Sequence, residues 1–167
     1  MNIKDFNQLP PSKLKGELEK CCVAKKWING VASATPFTSV GNLIESSNNS
    51  WQNCAEEDWL EAFTGHPKIG DLSSLSKKYS NTSDWANNEQ SGMNEADLEI
   101  IRKLADGNKK YEDKFGFIFI VCATGKTATE MLALLEARLP NNRIDELVIA
   151  AAEQHKITQL RLNKLFS

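Results

Sequence analysis

Residues 115–123 read FGFIFIVCA, a continuous apolar run rich in aromatic and β-branched side chains, and this is the one stretch of the chain that reads as extended. It is far too short to cross a membrane. No second run of the same kind stands ready to pair with it, so it cannot build a sheet. The rest of the sequence is biased towards helix: Leu plus Ala number 32 against 13 Val plus Thr, and Gly plus Pro total only 14 of 167 residues. The expected fold is therefore all-α, a single domain over residues 1–167 built as a compact bundle of about seven to nine helices with a long functional loop.

Helices are legible on both sides of that run. Upstream, Asn94 is placed to cap a helix carrying Leu98, Ile101, Leu104 and Tyr111 as far as Lys114. Downstream, Thr127 and Glu130 have the spacing of a capping box for a helix with Met131, Leu132, Leu134, Leu135 and Leu139, stopped by Pro140; Asn142 then opens a last helix to about Leu165. Near the N-terminus, Pro10 and Pro11 precede Ser12, and Leu14, Leu18, Cys21 and Cys22 recur at helical spacing until Asn29 and Gly30. A second helix is expected from Thr35, with Pro36 in its first turn and Phe37, Val40, Leu43 and Ile44 inward, stopped by Asn48, Asn49 and Ser50. Ser50 caps a third, whose face is Trp51, Cys54, Ala55, Trp59, Ala62 and Phe63 and whose end is Gly65. Residues 68–92 are polar, anchored by Leu72, Leu75, Tyr79 and Trp85, and read as short helical turns inside a long loop of the kind that is kept for function.

Composition narrows the function classes. Lys plus Arg number 20 against 22 Asp plus Glu, a net charge of -2 with no local basic run, so nucleic acid is not an expected partner. No apolar stretch has the length of a membrane span and the N-terminus lacks the apolar centre of a signal peptide, which makes the cytoplasm the expected location. The four cysteines, Cys21, Cys22, Cys54 and Cys122, include no C-x-x-C unit and read as reduced, packed thiols. With His66 and His155 the only histidines, no metal site is expected.

Several residues invite chemistry. CATGKT at 122–127 follows an extended run and precedes a helix, as a phosphate loop does, but Ile120 stands where a Walker A loop needs its first Gly. The capping box explains the segment better. His155 falls on a helical face with Ile144, Val148, Ala151 and Leu162 and reads as a satisfied core or boundary histidine; Arg161, at the edge of that stripe, is either a snorkelling surface cation or one reaching into a pocket for an anion. His66 differs in its placement, between a helix stop and Pro67, which biases it towards extended backbone and aims its imidazole. Histidine is the side chain best suited to move protons at neutral pH. Glu89 and Gln90 lie in the polar loop, able to orient the imidazole and to bond a substrate amide if that loop folds over His66.

These elements occur together as HPKIGD at 66–71, E-Q-x-G at 89–92, K-F-G-F-x-F at 114–119 with A-x-G-K at 123–126, and Arg161-Leu162 near the end. In order and spacing the set resembles 2-oxo-4-hydroxy-4-carboxy-5-ureidoimidazoline (OHCU) decarboxylase, a resemblance that extends to Cys21-Cys22, to Pro36-Phe37 and to the DWLEAF approach to His66. The resemblance implies an all-α homodimer that uses neither metal nor organic cofactor and forms (S)-allantoin and carbon dioxide in urate catabolism. It implies His66 as the catalytic acid/base, Glu89 as its acidic partner and Arg161 as the anion-binding cation. Pro67 and Gln90 would line the ureidoimidazoline, and the run Phe119, Ile120, Val121, Cys122 and Ala123 would present backbone groups to the ring. Position 86 departs from the family: S-x-x-E-Q is frequent there and this chain has Ala86. The alternatives are a decarboxylase of a related ureido acid, which Ala86 leaves open, and a noncatalytic helical interaction module.

Overall fold

A computed structural model describes residues 1–67, 72–79 and 95–167, and among them there are nine helices and no strand. In order they are α1 (Ile3–Asn7), α2 (Pro11–Glu19), α3 (Lys25–Ser33), α4 (Val40–Gln52), α5 (Glu56–Phe63), α6 (Leu72–Tyr79), α7 (Glu95–Phe115), α8 (Ala128–Arg138) and α9 (Arg143–Leu165). The fold is all-α as expected. Residues 118–123 form neither helix nor strand, and α6 is the helical piece expected within the long polar segment. Asn94, Trp85, Ala86, Glu89 and Gln90 lie outside the described residues.

The chain divides into two compact units, Met1–His66 with Ala150–Ser167, and Pro67–Ile149. In the first, Phe6, Leu18, Trp27, Val31, Leu43 and Leu162 are fully buried. Removing a side chain of this size from water contributes roughly 1.5–3 kcal/mol. Two polar side chains help to tie this core together: the Trp27 indole donates to Ser47 Oγ at 3.2 Å, and Asn7 both accepts from the Phe37 N–H and donates to its carbonyl at 2.8 Å. A Cβ at Gly30 would lie 2.7 Å from Ser50 Oγ, so glycine there permits the close approach of α3 to α4.

Three expected boundaries in this unit are corrected. The run from Ser12 to Gly30 is two helices: the N–H groups of Cys21 and Cys22 both turn back onto the Leu18 carbonyl, and Ala24 leaves helical geometry at ψ 114° before α3 begins. The second helix starts at Val40, capped by Ser39 through a 3.1 Å bond from Asn42 N–H, and Pro36 sits in the preceding loop after a cis peptide. It runs through Asn48–Ser50 to Gln52, so Trp51 belongs to α4, and Val40 and Ile44 are only half-buried. Ser50 therefore caps nothing, and α5 is held instead by the Asp58 carboxylate, which accepts from Ala55 N–H at 2.9 Å.

In the second unit α7 packs on α8 at Gly107, where a Cβ would lie 2.5 Å from a Leu135 methyl. Gly116, at φ +80°, closes α7 by donating to the Glu112 carbonyl at 2.8 Å, a conformation that L side chains seldom adopt. The capping box at the start of α8 is present, with Glu130 N–H on Thr127 Oγ1 at 3.1 Å and Thr127 N–H on Glu130 Oε2 at 3.2 Å. Asn142 caps α9 as expected, accepting from Asp145 N–H at 2.9 Å.

The buried face of α9 is only in part the one expected, since Ala151 and Leu162 lie on it and Ile144 and Val148 do not. Ile144 is 75% and Val148 55% exposed, whereas Leu147, Ala150, Ala151, Gln154, Thr158 and Leu162 are buried. Three polar side chains of α9, Glu146, Gln154 and Thr158, occupy core positions, so counting apolar residues locates its buried face only in part.

Candidate active site

His66 is delivered by the end of α5. After Phe63 the chain turns once more, His66 N–H returning to the Phe63 carbonyl at 3.2 Å, and Gly65 lies so close to Val23 that a Cβ would stand 2.8 Å from both of its methyl groups. Glycine at 65 thus lets the end of α5 lie against the segment joining α2 and α3. The imidazole is half-buried, and its Nε2 meets Gln154 Oε1 at 2.5 Å.

Gln154 leads into a fully buried polar chain. Its Nε2 donates to Thr158 Oγ1 at 3.2 Å, and the Thr158 hydroxyl donates back to the Gln154 main-chain carbonyl at 3.0 Å. The Cys22 thiol is hydrogen-bonded to Thr158, and burial pushes it up to about 11. Arg161, one turn further along α9, donates from Nη1 to the Cys21 carbonyl at 3.3 Å. Burial lowers the His66 pKa below its ordinary 6.5; the Gln154 hydrogen bond opposes this and the Arg161 charge adds to it. The lowered pKa favours the neutral imidazole, the form that can accept a proton, with the Arg161 charge acting on it.

Of the sequence-predicted residues, His66 and Arg161 thus come together in the first unit. Arg161 is half-buried, its guanidinium on the Cys21 carbonyl. Pro67 follows His66 directly and is exposed, and it opens the second unit. Glu89, Gln90 and Ala86 lie outside the described residues. Gln154 and Thr158 were not among the candidates; the available signal was their spacing of four residues on α9, three before Arg161, in line with Leu147, Ala151 and Leu162.

The run Phe119–Ala123 belongs to the second unit and is braced from within it. Arg138 donates from Nη1 to the Ile120 carbonyl at 2.7 Å, and its guanidinium lies 4.6 Å from the Phe119 ring centroid. The same guanidinium pairs with the fully buried Glu146 at 2.5 Å, a carboxylate that also accepts from the Tyr111 hydroxyl and from Asn141 Nδ2 at 3.0 Å. Lys126 Nζ donates to the Cys122 carbonyl at 2.8 Å. Two carbonyls of the run therefore already accept a hydrogen bond from the fold. Phe119, Val121, Cys122 and Ala123 keep partial exposure while Ile120 is buried.

His155 lies beside the apolar stripe and not on it. Its ring stacks on Trp51 with centroids 6.0 Å apart and 5° between planes, its Nε2 meets Asn48 Oδ1 at 2.8 Å, and its buried Nδ1 has no hydrogen-bond partner among the described residues. Among the described residues no group of three or more His, Cys, Asp or Glu side chains is placed to hold a metal ion, and no helix is long and apolar enough to cross a membrane.

Comparison with known proteins places this geometry. The family described as OHCU decarboxylase matches residues 7–163. The chain is 41% identical over 156 residues to the uric acid degradation bifunctional protein TTL of Arabidopsis thaliana, covering 90% of this chain but only 47% of that relative. It is 25% identical over 168 residues to an OHCU decarboxylase of Haloferax volcanii, covering 100% of this chain and 97% of the relative. A crystal structure of an OHCU decarboxylase in the presence of (S)-allantoin is similar with a TM-score of 0.72 and 38% identity, over 90% of this chain and 96% of that one.

Proposed function

The chain belongs to the OHCU decarboxylase family, and from that premise we propose that it decarboxylates OHCU to (S)-allantoin, with His66 as acid/base and Arg161 as the cation for the substrate's anionic portion. The observation that carries this reading is the junction of a neutral, half-buried imidazole with a nearby guanidinium, in a family whose solved relative was crystallised with the product.

The chemistry follows from the substrate. Its carboxylate and hydroxyl share one ring carbon, and the neighbouring C=N accepts the electron pair released when the C–COO⁻ bond breaks, so the electron sink is internal. Neutral His66 takes the hydroxyl proton as carbon dioxide leaves and becomes imidazolium. The imidazolium then returns that proton to the ureido-bearing carbon as the enolate closes to a carbonyl, and the ring nitrogen takes one proton from solvent. Delivery from one face sets the S configuration. Arg161 offers a planar fork to the carboxylate or the ring oxygen, where charge develops. Glu89 partners the imidazolium once His66 is protonated, Gln90 and Pro67 line the ureidoimidazoline, and Phe119–Ala123 present backbone groups to its ring; Arg138 holds the Ile120 carbonyl at 2.7 Å within the second unit.

We read the two units as one domain, a reading that the family match over residues 7–163 supports. The protein works in the cytoplasm as a homodimer, and the exposed apolar pair Ile144 and Val148 on α9 is the surface to examine for self-association. The test of function is direct: OHCU generated from urate is followed by circular dichroism with and without the protein. Formation of (S)-allantoin well above the spontaneous rate supports the proposal, and an unchanged decay curve removes it.

A further inference from the structure

Gln154 is buried completely, and its amide lies in a hydrogen-bond sequence that runs from Thr158 to His66. The Thr158 hydroxyl donates to the Gln154 main-chain carbonyl at 3.0 Å. Thr158 Oγ1 accepts from the Gln154 side chain, with the amide nitrogen on the Thr158 side at 3.2 Å and Gln154 Oε1 facing His66 Nε2 at 2.5 Å. An amide oxygen has no proton to give. With the amide oxygen on that side, the proton of the bond sits on the imidazole.

We infer that Gln154 is a positioning residue that holds neutral His66 in the tautomer protonated at Nε2, so that Nδ1 is the nitrogen that takes the substrate's proton and returns it. The inference rests on the reading of His66 as the acid/base. Every member of the relay lies in the first unit, on α9 or on the segment that joins α5 to it in space through His66. The groups around the ring from other elements leave the polarity intact: Cys22, beyond Thr158, is a neutral thiol, and Arg161 has no acceptor to offer. Without the pin, the ring would rotate and exchange tautomers, and only a fraction of molecules would present the basic nitrogen to substrate at any moment.

The test is nitrogen-15 NMR of the His66 ring above its titration, in the full-length protein and in variants. Wild type is expected to show a pyrrole-type Nε2 and a pyridine-type Nδ1 without averaging. Gln154→Leu is expected to give averaged ring shifts, with kcat lower by roughly tenfold to a hundredfold and KM nearly unchanged, because orientation and not binding is lost. Thr158→Val, which frees the amide to turn over, is expected to average the shifts too, and it serves where the leucine variant does not fold. Gln154→Glu keeps an acceptor at Nε2, and should keep the tautomer while moving the low-pH limb of activity upward. A wild-type ring protonated at Nδ1, or unaveraged shifts and unchanged kcat in both Gln154→Leu and Thr158→Val, overturns the inference. The ring shifts are read without turnover, so they remain decisive even if His66→Ala were to show that His66 is not the acid/base.

Discussion

Arg138 reaches the Ile120 carbonyl at 2.7 Å while its guanidinium is held by the fully buried Glu146, so an ion pair inside the second unit sets the main chain of the apolar run. Buried pairs are costly to break from one side, because the remaining charge is left without compensation. Glu146→Gln is therefore expected to destabilise the protein by about 3–5 kcal/mol in urea unfolding. A loss under about 1 kcal/mol would show that the pair is compensated elsewhere.

Gly65 and Val23 provide a test that links packing to the site. Gly65→Ala forces a methyl group to within 2.8 Å of both Val23 methyls and should displace His66, the next residue. Overpacking of this kind costs about 1–3 kcal/mol, and a misplacement near 1 Å can lower kcat on the order of a hundredfold. Adding Val23→Ala should restore most of the activity. A double variant no better than Gly65→Ala alone would mean that the effect does not pass through Val23.

The pH dependence has a definite sign. Burial lowers the folded-state pKa of both His66 and His155 below the unfolded value. Above that unfolded value, about 6.5, neither state takes up a proton; below it the unfolded chain is protonated first, so stability is lost as pH falls through the folded-state values. Thermal unfolding between pH 7.5 and 5 should show a falling Tm, with a shallower fall in His155→Gln. Activity should decline over the same acid range, as His66 becomes imidazolium and cannot accept a proton. A Tm independent of pH in this window would contradict the burial of both rings.

What could be read in the sequence and what could not divides along the range of the interactions. The Thr127–Glu130 box and the Asn142 cap are settled within one turn, and both were legible. The break between Cys22 and Lys25 was not, because Cys21 and Cys22 continue the apolar period while their N–H groups turn back to Leu18. His66 and Arg161 were singled out by their motifs, and both lie in the first unit. Gln154 was not: its partner is 88 residues away in sequence, and a glutamine beside a histidine on a helix reads as solvated surface unless that partner is known. The same blind spot put the exposed Ile144 and Val148 on the expected face of α9 beside the buried Ala151 and Leu162, and left out Leu147, Gln154 and Thr158.

The cysteines of the first unit should be chemically quiet. Burial pushes the Cys21 thiol up to about 12 and those of Cys22 and Cys54 to about 11, so almost no thiolate is present at neutral pH. Alkylation of the native protein followed by peptide mass spectrometry should leave all three unmodified over times that label an exposed thiol. Rapid labelling of Cys22 would contradict the packing around Thr158.

The central claim is that His66 moves the proton in the decarboxylation. It is tested most directly by following OHCU, generated from urate, by circular dichroism in the presence of wild-type protein and of His66→Ala at equal concentration, with far-ultraviolet spectra to confirm equal helix content. General acid/base catalysis contributes on the order of 10² to 10⁴ in rate, so the variant should form (S)-allantoin at least about a hundredfold more slowly than wild type. A folded His66→Ala protein within about threefold of the wild-type rate would contradict the account, since a loss that small is far below what an acid/base residue contributes.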